Sequence, residues 1–493
     1  MVFNSIPFLF YFLPIVLFGY FLMPRTWRNA FLLVASLFFY AWGEPVLVLV
    51  FVASLVVNYG LSFWIHKALQ TEGQATRRLA LFFSLFVNLG LLAVFKYAGF
   101  AVSNFNALTG LSMPVPKLAL PIGISFYTFQ ILSYLIDLYR GRVAFEPNFI
   151  NVSCYVTLFP QLIAGPIVRF QTVAEELKHR ENGFYDIERG IVRFVIGLAK
   201  KSLLADGIGA LWVTVSAMPM DQLSTGFAWL GLLAYAFQIY FDFSAYSDMA
   251  IGLGWILGFH FEENFNDPYM ATSVTDFWRR WHISLSTWFR EYVYIPLGGN
   301  RKGALRQVFN LLLVWFLTGL WHGANWNFVL WGLYFGLLLI LEKFVLQKLL
   351  SRLPQFIGHI YTLFIVLISW AIFANDQSDR LFLFLKRLFV PGGLPVIDRQ
   401  ALYYALSYGM LLLICALLST PYPRRLWAKF SGASSTSALA LAKDKSAAAQ
   451  NSSASVVKKR AILLRNMGLL LLWFLSIAAV VASSYKPFLY FRF

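Results

Sequence analysis

His322 is the residue whose type and position most clearly point to chemistry. It lies in Gly319-Leu-Trp-His-Gly-Ala-Asn-Trp-Asn-Phe-Val-Leu-Trp-Gly332, with apolar runs on both sides. An ionisable side chain in such surroundings is costly and indicates a functional site by default. Imidazole is also the side chain best suited to move a proton near neutral pH. The pattern favours a functional histidine, and the alternative is a histidine that only hydrogen-bonds to a neighbouring helix.

Two other polar clusters interrupt apolar sequence. Ser133 and Asp137 are four residues apart, so they share one face of a predicted helix. The stretch Tyr240-Phe-Asp-Phe-Ser-Ala-Tyr-Ser-Asp248 carries Asp242, Ser244 and Asp248. Its carboxylates could orient a catalytic group or pair with arginine. A hydrogen-bond network between membrane helices explains them equally well.

A fourth cluster combines charge with aromatic residues. Asp276, Arg279, Arg280 and His282 lie within two helical turns, in Asp-Phe-Trp-Arg-Arg-Trp-His. Arginine holds phosphate and carboxylate groups through paired hydrogen bonds, so the two arginines could bind such a group at a cytoplasmic mouth. Contact with lipid headgroups is the alternative interpretation.

The composition is that of a membrane protein that crosses the bilayer several times. The chain is 59% hydrophobic and only 13% charged, whereas soluble domains carry about 25% charged residues. The net charge of +17 comes from lysines and arginines in short loops, which indicates membrane topology and not nucleic-acid binding. The two cysteines lie far apart and predict neither a disulfide framework nor a metal site.

The sequence lacks the motifs that are typical of several enzyme classes. There is no P-loop, no H-E-x-x-H zinc site and no G-x-S-x-G nucleophile elbow. None of the six histidines has an aspartate five positions later, as the H-x4-D acyltransferase motif requires.

The elements that must position these groups are predicted to be about ten transmembrane helices. Charge bias places the N-terminus and the 103–117 loop outside, and Arg279, Arg280 and Arg301 in the cytoplasm. The first apolar run has no cleavage site and is predicted to be a retained helix. The predicted spans are Ile6–Met23, Asn29–Trp42, Val46–Ile65, Leu79–Ala101, Leu120–Tyr139, Ile191–Val215, Phe227–Leu257, Ile357–Ala374, Ala401–Ser419 and Ala461–Ser484.

Four segments do not fit a simple series of helices that cross the membrane alternately outward and inward. Val152–Val168 contains Pro and Gly and is predicted to be re-entrant. Phe309–Leu341 has basic residues at both ends, so it is predicted to enter from the cytoplasm and return, with His322 near the tip. Phe259–Arg306 is predicted to lie at the cytoplasmic interface as amphipathic helices. Ser431–Ser455 is rich in Ala and Ser and is predicted to be a disordered cytoplasmic linker.

Two lysines fall inside the predicted span Ile191–Val215. Lys200 and Lys201 are expected to extend along the helix, so that their charged ends reach the membrane surface.

The order of the motifs along the chain carries a family resemblance. The motifs are Ser125-Phe-Tyr-Thr-Phe-Gln130, Phe159-Pro-Gln-Leu-Ile-Ala-Gly-Pro166, Tyr240–Asp248, Asp276–Ser284, Tyr294-Ile-Pro-Leu-Gly-Gly-Asn-Arg301, Gly319-Leu-Trp-His-Gly323 and Tyr490-Phe-Arg-Phe493. Together they resemble the membrane-bound O-acyltransferase family, and within it the bacterial branch that serves alginate O-acetylation. The match covers nearly the whole chain, apart from the Ser431–Ser455 linker.

The resemblance implies one all-α membrane domain over residues 1–493, arranged around a central funnel, in the bacterial inner membrane. It implies acetyl transfer from a cytoplasmic donor, acetyl-CoA, to a periplasmic partner of the SGNH-hydrolase type in an exopolysaccharide acetylation complex. The polysaccharide would be alginate or a similar polymer. The resemblance implies no nucleic acid, no metal and no bound cofactor.

The resemblance also assigns site residues. It implies that His322 is the catalytic histidine and that His282 is a second site residue. In the mechanism that we expect, neutral His322 takes the proton of the acceptor hydroxyl, and Asn325 orients the ring or stabilises the oxyanion. A covalent acetyl-histidine stays open. The expected substrate-binding residues are Asn325, Trp321, Asp242, Ser244, Asp248, Asp276, Arg279 and Arg280.

A secondary transporter or flippase is the alternative function. It would also show broken helices and buried polar groups, but it would need internal repeats. The His322 and Asp242 stretches each occur once. A purely structural anchor would not need His, Asp and Arg gathered on the inner half.

Overall fold

The computed structural model describes residues 1–71, 73–423, 425–426, 452–482 and 488–489. These residues form helices and loops, with no strand among them. The helices, numbered along the chain, are α1 Phe8–Leu22, α2 Arg28–Gly43, α3 Leu47–Thr71, α4 Gln74–Thr109, α5 Ile124–Tyr139, α6 Phe149–Thr157, α7 Phe159–Leu162, α8 Phe170–Lys178, α9 184–217, α10 Thr225–Leu257, α11 Val274–Arg280, α12 Ile283–Phe289, α13 Ala304–His322, α14 Trp326–Leu350, α15 Gln355–Ala374, α16 Ser378–Phe389, α17 Arg399–Leu418 and α18 Ser452–Ala482.

The prediction of an all-helical, multi-pass membrane protein is confirmed. Within the described part of the chain, seven helices are long and apolar enough to cross a bilayer, and they are α3, α4, α13, α14, α15, α17 and residues Ile462–Ala482 of α18. The apolar α1 is shorter. Helices α2 and α5 have 16 residues each, below the ~20 that a full span needs.

Helix α10 lies in the centre of the protein. It is 33 residues long, and residues on all its sides are buried, as expected of a helix enclosed by other helices. Helix α9 packs against it at close range. A Cβ atom on Gly252 of α10 would lie 2.6 Å from the carbonyl oxygen of Gly190 in α9, so only glycine fits there. The close packing of α9 on α10 fixes one wall of the protein.

Helices α13 and α14 form a hairpin, and His322 is the last residue of its first arm. The sequence therefore placed His322 correctly at the tip. Both arms are long enough and apolar enough to cross a bilayer. Gly332 and Gly319 bring the arms together, since a Cβ on Gly332 would lie 2.2 Å from the carbonyl oxygen of Trp315.

The segment 152–168 is a broken helix that the rest of the protein covers. Helix α6 ends at Thr157, α7 follows after one residue, and all of these residues are buried. Irregular backbone is tolerated at membrane depth where protein surrounds it. This agrees with the prediction of a broken, covered segment.

The segment 259–306 does not lie flat on the surface as predicted. Its central residues Trp278, Trp281, His282 and Trp288 are buried. These side chains pack between α5, α10 and the hairpin instead of facing lipid headgroups, because their aromatic surface gains more from burial inside the protein.

Two further expectations concern the linker and the lysines of α9. Residues 431–451 lie outside the described part of the chain, and residues 452–455 begin α18. Lys200 does not extend to the membrane surface, because it forms an ion pair with Asp248 at 2.7 Å. Lys201 is 1% exposed and pairs with Asp242 at 2.6 Å and Asp206 at 2.8 Å.

Candidate active site

His322 is enclosed by aromatic rings at the tip of the hairpin. Its ring centroid lies 5.0 Å from that of Trp321, 4.8 Å from that of Trp331 and 5.4 Å from that of Phe373. The side chain is 5% exposed. Helix α13 ends at this residue and the chain turns at Gly323, so the imidazole is held at a helix end by large, rigid neighbours.

His282 lies beside this tip and not at the membrane surface. Its ring centroid is 5.9 Å from that of Trp321 and 4.7 Å from that of Phe243 on α10. His282 and Lys96 are both near enough to act electrostatically on His322. The fold therefore unites two histidines that are separated by forty residues of sequence.

His282 adopts a backbone conformation that non-glycine residues rarely take. Its φ is +43°, in the left-handed region, which costs about 1–3 kcal/mol and is often found at functional sites. The residue lies at the start of α12, directly after Trp281, which ends α11. The turn aims the His282 ring inward while Arg279 and Arg280 remain on the outer side.

Asn264 fixes the tautomer of His282. Its Oδ1 accepts a hydrogen bond from the backbone N–H of Ser284 at 3.2 Å, which identifies that atom as the amide oxygen. The same Oδ1 lies 3.2 Å from His282 Nδ1, which must therefore be the protonated nitrogen. The amide nitrogen of Asn264 donates to Ser247 on α10. His282 is consequently held with the lone pair on Nε2.

A cavity of about 190 Å³ lies between the first hairpin arm and residues 278–294. It is mostly apolar, with Arg290 and Tyr294 among its lining residues, and it includes Thr318, one helical turn before His322. The indole Nε1 of Trp278, another lining residue, has no hydrogen-bond partner in the described part of the chain. A slender ligand in this cavity could reach the region of His322.

The acids of α10 belong to ion pairs and not to the histidine site. Asp248 pairs with Arg193 at 2.9 Å and with Lys200. Asp242 pairs with Lys201 and accepts a hydrogen bond at 2.7 Å from the backbone N–H of Leu489. Ser244 is buried, and its hydroxyl has no partner among the described residues. The interpretation of the two aspartates as interhelical links is the one that the geometry supports.

Three other predicted binding residues, Asp276, Arg280 and Asn325, use their polar groups in contacts that do not involve His322. Asp276 accepts a hydrogen bond from Arg280 at 2.9 Å, one turn later in α11, and Arg279 is exposed. Asn325 donates to the carbonyl oxygen of Asp376 at 3.1 Å. Because α13 ends at His322, Asn325 lies in the turn after the helix and not one helical turn further along it; its role at the ring stays a prediction.

Two residues that contact the site were not among the predicted site residues. Lys96 donates a hydrogen bond to the carbonyl oxygen of Trp321, although a lysine inside the apolar run 79–101 is the same kind of signal that singled out His322. Asn264 begins the polar stretch Asn264-Phe-Asn-Asp-Pro-Tyr269 that precedes the Asp276 cluster in the sequence, but only the fold shows that it contacts His282.

The family assignment follows from comparison with known proteins. Residues 124–374 match the model of the membrane-bound O-acyltransferase family, MBOAT. The chain belongs to this family. The matched region runs from α5 to the end of α15 and contains both histidines, so this membrane acyltransferase carries its candidate site within the family's own domain.

The acyltransferase also resembles curated relatives over long stretches. It is 39% identical to the probable alginate O-acetylase AlgI of Azotobacter vinelandii and 38% identical to that of Pseudomonas aeruginosa, in both cases across the whole of both chains. It is 36% identical to the peptidoglycan O-acetyltransferase of Helicobacter pylori, over 78% of this chain and 79% of the relative.

Proposed function

We propose that this acyltransferase passes an acetyl group across the bacterial inner membrane for O-acetylation of an exopolysaccharide such as alginate. The donor is acetyl-CoA in the cytoplasm, and the receiver is a periplasmic partner of the SGNH-hydrolase type. The names of the two most fully covered relatives support alginate as the polymer class. The relative named for peptidoglycan supports acetyl transfer to an extracytoplasmic polymer more generally.

The observation that carries this proposal is that His322 and His282 both pack against Trp321, near an apolar cavity that reaches Thr318, one helical turn before His322. Large aromatic rings surround both imidazoles, so water is scarce there. A scarcity of water protects a thioester from hydrolysis and strengthens hydrogen bonds to the reacting atoms. The site suits acyl transfer better than it suits passage of a hydrated solute.

The reaction then follows from the imidazole at the hairpin tip. Neutral His322 accepts the proton of the acceptor hydroxyl as its oxygen attacks the thioester carbonyl carbon. When the tetrahedral intermediate collapses, the carbon–sulfur bond breaks and the proton passes from His322 to the leaving thiolate. His282, locked with its lone pair on Nε2 by Asn264, provides a hydrogen-bond acceptor that orients the hydroxyl.

The donor enters through the cavity beside the first hairpin arm. Its apolar walls fit the uncharged arm of the donor, which ends in the thioester. Arg290 lines the cavity, and Arg301, Lys302 and Arg306 follow in the chain. Such cations bind the phosphates of CoA through charge-assisted hydrogen bonds.

The test is acetyl transfer by the purified protein in detergent, with labelled acetyl-CoA and with candidate periplasmic partners present or absent. Wild type should transfer label to the partner, and His322→Ala should not. His66→Ala is the matched control, because His66 stacks on Phe145 at 4.6 Å and is separate from the cavity residues. Transfer by His322→Ala at the wild-type rate, or none by wild type with any partner, would overturn the proposal.

A further inference from the structure

Lys96 brings a positive charge to the hairpin tip. It lies in α4, within a π-helical turn at Ala93–Tyr97, a distortion that is frequent at functional sites. Its Nζ donates one hydrogen bond to the carbonyl oxygen of Trp321 and another to Ser125 Oγ at 3.1 Å. It therefore connects α4, α5 and the residue next to His322.

Capping the C-terminal end of α13 does not by itself require a positively charged side chain. The last carbonyls of a helix need hydrogen-bond donors, and the neutral hydroxyl of Tyr97 already serves the Leu320 carbonyl at 2.7 Å. A second neutral donor at position 96 would serve the Trp321 carbonyl equally well. The ammonium group of Lys96 supplies a charge beyond what capping needs.

No acidic side chain forms an ion pair with Lys96 in the part of the chain that the structure describes. Lys201, which is fully buried, has two aspartates, whereas Lys96 is partly buried and has none among the described residues. A cation inside a membrane protein without an acid is costly and is retained for an anion that binds or forms there. An ammonium group has three N–H donors, and the hydrogen bonds of Lys96 to Ser125 and Trp321 use two of them; the same Nζ also lies 5.9 Å from the centre of the Trp321 ring.

We propose that Lys96 is a catalytic residue whose third N–H stabilises the oxyanion formed during acyl transfer at His322. The inference rests on the proposed function. As the acceptor oxygen bonds to the carbonyl carbon, the π electrons move onto the carbonyl oxygen, and the hydroxyl proton goes to His322. Lys96 donates a hydrogen bond to that oxygen and keeps its proton. When the carbon–oxygen double bond re-forms, the thiolate leaves and takes the proton from His322.

The decisive variant is Lys96→Gln, whose amide N–H groups can still cap the Trp321 carbonyl but carry no charge. Loss of one oxyanion donor lowers kcat by about 10²–10³-fold, and KM should change little because the contact exists only in the transition state. Tyr97→Phe is the matched control, since it removes a neighbouring cap bond and no charge. Its kcat should remain within about tenfold of wild type, as a lost cap has only a modest effect.

Lys96→Arg keeps a permanent cation and covers the case in which Lys96→Gln fails to fold. Wild-type kcat should fall at high pH as Lys96 loses its proton, and Lys96→Arg should lack that fall because arginine stays charged. The other titratable groups at the tip are His322, His282 and Tyr97, and they are common to both proteins. If kcat falls equally at high pH in wild type and in Lys96→Arg, or if folded Lys96→Gln has the wild-type kcat, the role of Lys96 is wrong and the proposed function still stands. If the wild-type protein transfers no acetyl group, both the proposed function and the role of Lys96 are wrong.

Discussion

The ring of His282 lies 5.9 Å from the ring of Trp321, the residue that precedes His322. This contact joins the strained turn between α11 and α12 to the tip of the α13–α14 hairpin. Neither element holds the two imidazoles alone. Displacing either element should therefore disturb the whole site.

The two histidines should differ in the kind of defect that their loss causes. His322→Ala should lower the transfer rate by about 10²–10⁴-fold, the usual contribution of a general base, while donor binding is retained. His282→Ala should impair both turnover and thermal stability, because Asn264 and Ser284 lose a buried partner. Donor binding, single-turnover transfer and the melting temperature in detergent separate the two. If His282→Ala has the melting temperature of the wild-type protein, the predicted structural role of His282 is wrong.

Asn264 should matter more than Asn325. Asn264→Leu leaves the donors of His282 and Ser284 without their acceptor, which costs about 1–3 kcal/mol for a buried group, and it frees His282 to change tautomer. Asn325→Ala loses a hydrogen bond to the Asp376 carbonyl, and its transfer rate should stay near wild type. Melting temperatures and transfer rates at matched expression test the pair. If Asn325→Ala loses more transfer activity than Asn264→Leu, the result would support a role for Asn325 in orienting the His322 ring.

Gly332→Ala should separate the arms of the hairpin and impair transfer. The added Cβ would meet the backbone of Trp315 and of Gly319, and backbone atoms cannot rotate away as a side chain can. Gly60→Ala in α3 is the control, since no atom lies within 4 Å of its Cβ position, and it should be neutral or slightly stabilising, by about 0.5–1 kcal/mol. Equal activity of the two variants would show that close contact of the arms is unnecessary.

The ion pair of Lys201 with Asp242 should be structural. Lys201→Met leaves the buried Asp242 and the partly buried Asp206 without their cation, and breaking a buried pair in this way costs about 3–5 kcal/mol. Adding Asp242→Asn to Lys201→Met should recover part of the loss, because one uncompensated charge disappears. Thermal unfolding of both variants in detergent measures this. If the double variant is less stable than Lys201→Met, the two residues are not coupled as the structure indicates.

His260 should make stability depend on pH. Its hydrogen bond to Glu176 raises the pKa of the imidazole, and Asp186 adds to the effect. A raised pKa in the folded protein means that the contribution is fully present below the unfolded value of about 6.5. The stabilising contribution of His260 is lost as the pH rises through the pKa that the imidazole has in the folded protein. The melting temperatures of wild type and His260→Ala should therefore differ more at pH 5.5 than at pH 8.5, and an unchanged difference would exclude a charged His260.

The sequence by itself determined the class of protein and the place of His322. Apolar runs of span length can only be helices in a bilayer, because their backbone groups must be bonded within the segment. The basic residues around 309–341 and the single histidine inside it were enough to predict a hairpin with His322 near its tip. The order of motifs along the chain was enough to indicate the family.

Only the tertiary structure decided which polar residues meet. A hydropathy profile gives the same signal for a charged residue whether it lies at the surface, in an ion pair or in a functional site. This is because the profile depends on the local amino-acid composition and not on which residues are neighbours in space. Asp242 and Asp248 consequently proved to be partners of Lys201 and Lys200, and His282 moved from the predicted interface into the core. Lys96 and Asn264 reach the site from α4 and from a loop, through contacts between segments that are distant in sequence, which no local pattern encodes.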